Sequence, residues 1–68
     1  MKLTENAIKD LDKAIEIFPD NPAYYYERGL VYSKRKDKCG LEQAKKDFRK
    51  ACELGSRDGC AGLIWLSE

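Results

Sequence analysis

From Thr4 to Phe18 the chain reads TENAIKDLDKAIEIF, with apolar residues at Ala7, Ile8, Leu11, Ala14, Ile15 and Phe18. They recur at helical spacing, so the pattern predicts an amphipathic helix over 4–18. Thr4 suits its N-cap, and Glu5 suits the positive end of its dipole. Pro19 stops it, through its missing N–H and its clash with Phe18. Asp20-Asn21-Pro22 is a restart, with Asn21 as cap and Pro22 as first helical residue. The second helix, 22–36, carries Tyr24, Tyr25, Tyr26, Leu30, Val31 and Tyr32. That apolar surface is too broad for one-sided packing and places the helix between neighbours. Gly29 in its middle costs roughly 1 kcal/mol relative to alanine, which is tolerated where helices approach closely.

Lys34 to Gly40, KRKDKCG, reads as a polar connector. A third helix follows over 41–54, with Leu41, Ala44, Phe48, Ala51 and Cys52 along one face and Gly55 as a left-handed C-cap. Ser56-Arg57-Asp58 is a turn. Asp58 caps a fourth helix, 59–67, that presents Cys60, Ala61, Leu63, Ile64, Trp65 and Leu66. β-Branched residues are few and never alternate, so no strand is predicted.

The totals narrow the function classes. A chain of 68 residues is one small domain, and 43% hydrophobic with 37% charged residues fits solvated helices rather than disorder. A net charge of +1 gives no electrostatic case for nucleic acid. No histidine is present, which removes the commonest general base and neutral metal ligand. No apolar run is long enough for a membrane helix, and MKLTENAIKD has no signal-peptide core. The carboxylates alternate with lysines, as on solvated helix faces, and no phosphate loop, nucleophile elbow or metal box occurs. No catalytic site, metal or cofactor is therefore expected. Lys34-Arg35-Lys36 with Lys38, broken by Asp37, reads as the solvated connector.

The first and third helices share a frame. Ala7, Leu11, Ala14 and Pro19 fall on Ala44, Phe48, Ala51 and Ser56 at a constant offset of 37 residues. Tyr25-x2-Arg28-Gly29-x2-Tyr32 precedes the second of these. Together they resemble the tetratricopeptide repeat, whose 34-residue period pairs a Trp-x2-Leu-Gly-x2-Tyr helix with an Ala-x3-Phe helix and a closing proline. Arg28 replaces the leucine, Ser56 the proline, and the connector holds three extra residues. The resemblance implies an all-α fold of antiparallel helical hairpins in a right-handed solenoid, in one domain over 1–68. Residues 4–19 would be the second helix of a partial repeat, 22–56 a complete repeat, and 58–68 a capping helix. Leu11, Tyr25, Gly29, Tyr32, Ala44, Phe48 and Ala51 would be core by this frame, and Trp65 would pack on Phe48.

KACELGSRDGC also resembles the Sel-type relatives of that family, in which the two cysteines of such a phrase bond across adjacent helices. The resemblance implies the same for Cys52 and Cys60. The residues by themselves also allow a reduced, packed pair or a redox pair, with Cys60 activated near a helix N-terminus. A bonded pair implies a periplasmic or extracellular protein, a reduced pair a cytoplasmic one. Cys39 lies in the connector as a half-buried or free thiol.

The family's function is protein–protein interaction through an extended groove, lined by the side of the first helix that here carries Tyr26, Leu30, Ser33 and Lys34. These four are the candidate partner contacts, for a protein or peptide and not for nucleic acid or a membrane. They lack the asparagine-and-lysine set with which chaperone-binding relatives clamp a C-terminal carboxylate. The expected role is a non-catalytic scaffold module. The alternatives are a structural cap of a longer solenoid and, from another class, a thiol-based redox protein. The helix over 4–18 would be the second of a pair, so the expectation is either a fragment of a larger array or self-association through its open face.

Overall fold

Turn chemistry sets the order of the elements. The computed structural model describes residues 3–35 and 37–66, which form four α-helices and no strand: α1 Leu3–Ile17, α2 Pro22–Ser33, α3 Lys38–Glu53 and α4 Arg57–Leu66. Pro19 has no N–H to continue α1, whose last turn closes with Phe18 N–H donating to Ala14 O at 2.8 Å. Asn21 then caps α2, its side chain accepting from Ala23 N–H at 3.0 Å, with Pro22 in the first turn. The cap of α1 lies outside the described residues. Thr4 does not fill it, because the helix already begins at Leu3.

The larger differences from expectation are at the end of α2 and at the starts of α3 and α4. Helix α2 stops at Ser33, with Lys34 as its C-cap, and Lys36 lies outside the described residues. Helix α3 starts at Lys38 rather than Leu41, because Asp37 caps it and accepts from Gly40 N–H at 2.6 Å. Its first turn is polar because it faces solvent, and Cys39 there is exposed. Helix α4 starts at Arg57, capped by Ser56 rather than Asp58, with Ser56 Oγ accepting from Gly59 N–H at 3.0 Å. Its expected end at Ser67 lies outside the described residues. Between α3 and α4 the chain turns on Gly55, at φ +103°. Gly55 N–H donates to Cys52 O at 3.0 Å and Ser56 N–H to Ala51 O at 2.9 Å, the paired bonds of a Schellman end.

Short turns lay consecutive helices side by side as hairpins, in a slab of 29 × 28 × 14 Å. Each helix packs on the next, and α2 also meets α4. The core centres on α3, where Ala44 and Ala51 are fully buried and Phe48 is 1% exposed. A Cβ on Gly29 of α2 would lie 2.7 Å from the Phe48 ring, and one on Gly62 of α4 would lie 3.0 Å from its other edge. The ring therefore fills a slot that only two glycines leave open. Burying it stabilises by about 1.5–3 kcal/mol relative to exposure. Leu11, Tyr25 and Tyr32 sit lower in the expected core order, being half-buried at the border of this cluster. Trp65 is not core. It is 68% exposed, because Gly59 and Gly62 face α3 while Ala61, Ile64 and Trp65 point the other way.

Candidate functional site

One face of α2 is free. Ala23, Glu27, Leu30 and Lys34 are exposed, and their spacing places them on a single stripe along the helix. Leu30 is its apolar centre, 37% exposed, between an acid and a base one turn to either side. Tyr26 and Ser33 form its border. Tyr26 is not simply a surface residue: its ring packs on Phe48 with centroids 5.6 Å apart, which holds it half-buried. Ser33 donates its hydroxyl proton to Leu30 O at 2.7 Å, so its oxygen remains available as an acceptor. The sequence-predicted set Tyr26, Leu30, Ser33 and Lys34 thus lies together, with Leu30 and Lys34 outward and the other two at the edge. Ala23 and Glu27 complete the stripe and were missed, although the same spacing names them.

The opposite side of α2 is tied down by charge. The Arg28 guanidinium donates twice to Asp47 of α3, from Nε at 2.9 Å and Nη2 at 2.8 Å, and once to Asp12 of α1, from Nη1 at 2.6 Å. The same group lies 5.8 Å from the centre of the Tyr25 ring, whose hydroxyl donates to Pro19 O at 2.9 Å. Its hydrogen bonds to Asp47, aided by Asp12, hold the arginine pKa above its ordinary value despite the opposing effect of burial. Asp47 is 2% exposed, so the pair is a buried, bidentate contact rather than a surface ion pair. This engagement leaves Arg28 unfit to hold a ligand. In sequence Arg28 shows only as a departure from the repeat's leucine, and the fold supplies its partners.

At the α3–α4 joint, the sulfurs of Cys52 and Cys60 lie at disulfide-bonding distance, with Cα atoms 4.6 Å apart. Among the described residues, no group of three or more cysteine or acidic side chains could hold a metal ion, and no helix is long and apolar enough to cross a membrane.

If the buried tie fixes α2 against α3, Arg28→Ala and Asp47→Ala should each destabilise by about 2–4 kcal/mol. Their double-mutant coupling should lie within about 0.5–3 kcal/mol. Asp12→Ala, at an exposed partner, should cost about 0.2–1 kcal/mol. Urea unfolding of the four variants measures all of these. An Asp47→Ala cost no larger than that of Asp12→Ala contradicts the tie.

Two family models match the chain. One, described as TPR repeat, matches residues 4–35, and another, described as Tetratricopeptide repeat, matches residues 22–54. Comparison with curated proteins and with solved structures gives no match. Together the two models span residues 4–54, so this stretch is similar to tetratricopeptide repeats, and the all-α array of helical hairpins is consistent with the fold that such repeats build.

Proposed function

We propose that this protein is a non-catalytic interaction module that binds an extended peptide along the free face of α2. Tetratricopeptide repeats mediate protein–protein interaction as a class. The observation that carries the proposal here is the outward stripe of α2, where an exposed leucine sits between Glu27 and Lys34. An apolar peptide side chain would cover Leu30 and the edge of the Tyr26 ring. Glu27 and Lys34 would set the direction by pairing with opposite charges. A scaffold role fits this surface. The capping role has less support, because a closing helix presents a polar outer face, whereas α4 exposes Ala61, Ile64 and Trp65.

We read Cys52 and Cys60 as a structural staple rather than a redox centre. Both are half-buried, and their bond would pin α4 to the helix that carries Phe48. With a sequence separation of 8, the closed loop is short, and its closure entropy corresponds to about 2.5 kcal/mol. The bonded state favours an oxidising compartment.

Two measurements follow. Selection from a displayed peptide library should enrich a common motif on the wild-type protein and lose it on Leu30→Asp, with the helical circular dichroism unchanged. Failure to enrich any motif, or enrichment indifferent to Leu30→Asp, contradicts the α2 face. Cys60→Ser should lower unfolding free energy by about 2.5 kcal/mol under oxidising conditions and by much less under reducing ones. Equal losses in both would show that the thiols pack but do not bond.

A further inference from the structure

The α3–α4 joint is fastened differently from the α2–α3 joint. Between α2 and α3 stand the two-pronged Arg28–Asp47 contact and the Tyr26 ring on Phe48. Toward α3, helix α4 presents mainly backbone. A Cβ on its Gly59 would lie 2.6 Å from the Ala51 side chain, and one on Gly62 would lie 3.0 Å from the Phe48 ring. Gly59 is the one buried residue among those described in α4, and it has no side chain to bury. Leu63 and Leu66 are only half-buried. Among the described residues, no ion pair joins α4 to another helix. The covalent contact is Cys52–Cys60. A helix of 10 residues is too short to be stable alone in water. The helical state of α4 therefore depends on docking, and its docking depends on the bond.

The position of α4 matters to the stripe on α2, because the two helices are in contact. Gly62 closes one edge of the Phe48 ring, and Tyr26, at the border of the stripe, packs on that same ring. Trp65 stands one turn after Gly62 and is 68% exposed, so it borders this seam from the side of α4. Without α4, the Gly62 edge of Phe48 opens to water, and Tyr26 is left beside an empty seam.

We propose that the Cys52–Cys60 bond is a redox latch on the peptide site: bonded, it holds α4 beside the α2 stripe, and reduced, it releases α4 and the site loses affinity. This rests on the reading of the α2 stripe as a peptide site. The pair performs no redox catalysis, and a dithiol supplies the two electrons and two protons. A thiolate of the dithiol attacks one cysteine sulfur and displaces the other as a thiolate. The second thiol of the dithiol then breaks the mixed disulfide. One S–S bond is lost from the protein, one forms in the dithiol, and Cys52 and Cys60 are left as thiols. Both cysteines are half-buried rather than enclosed, so a small dithiol reaches them.

A latch goes beyond a staple. A staple acts through the unfolded chain and changes the stability of all four helices together. A latch frees one helix while the other three stay folded.

Residue-resolved hydrogen–deuterium exchange on the full chain, oxidised and in dithiothreitol, separates the two. A Cys39→Ser background keeps the exposed third thiol out of the reaction. On reduction, the amides of Ala61 to Ile64 should fall to within about tenfold of unfolded-chain exchange, while those of Ala44 to Ala51 stay protected. A site competent only with α4 docked loses affinity in proportion to the docked fraction. Peptides selected from a displayed library on the oxidised protein should therefore bind the reduced protein about tenfold or more weakly. The Cys52→Ser/Cys60→Ser double variant should match the reduced protein in both readouts and ignore dithiothreitol. Loss of protection in α3 and α4 in step overturns the latch. Release of α4 with unchanged peptide affinity overturns it too, and leaves the α2 site standing. If the oxidised protein enriches no motif, the peptide reading of α2 fails, and the regulated site fails with it whatever α4 does.

Discussion

The buried ring of Phe48 and the space it requires set the arrangement of three helices. It is the one large side chain of α3 with almost no exposure, and each of its long edges meets the backbone of a different helix. Gly29 and Gly62 allow that approach, since a Cβ at either place would meet the ring. Ala44 and Ala51 continue the surface above and below at no steric cost. α3 is thus covered from both sides, while α1 and α4 each have one flank open. Among the described residues, what is buried is the middle of the array, and what is exposed is the outer stripe of α2 and one side each of α1 and α4.

The Arg28 contact adds register to this packing. A ring between glycines tolerates some sliding along the helix axes, but a bidentate fork onto Asp47 does not. The same guanidinium reaches Asp12, so one side chain sets α2 against both of its neighbours. The cost of desolvating Asp47 is met by two hydrogen bonds, and none of its oxygens is left without a partner. Because α2 is held on that side, its opposite stripe of Ala23, Glu27, Leu30 and Lys34 is presented at a fixed angle. Preorganised presentation of that kind reduces the entropy lost when a peptide binds.

Much of this was legible in the chain. Pro19, Asn21, Pro22 and Gly55 punctuate it unambiguously, because each has a backbone reason to stand where it does. The period of alanines and large apolar residues announced helices and their order. Helix starts were less legible at α3, and at α4, where Ser56 and Asp58 compete as caps. Polar first turns hide the beginning of α3, since periodicity registers only a buried face. Trp65 shows a second limit. Its spacing is helical, but spacing cannot say whether a neighbour stands on that side. Arg28 shows a third: alone it is a departure from a motif, and only the fold brings Asp47 and Asp12 to it. The candidate contacts of α2 were found as a group, yet Tyr26 proved to share its ring with the core, because α2 lies against both α3 and α4.

The central claim is that α3, through Phe48, is the most deeply enclosed of the described helices. Native-state hydrogen–deuterium exchange resolved by residue tests it most directly, because exchange from the core tracks global opening and exchange from flanks tracks local opening. The slowest amides should lie in α3 around Ala44 to Ala51, with α1 and the end of α4 exchanging well before them. Protection in α1 equal to or greater than that of α3 would contradict the account.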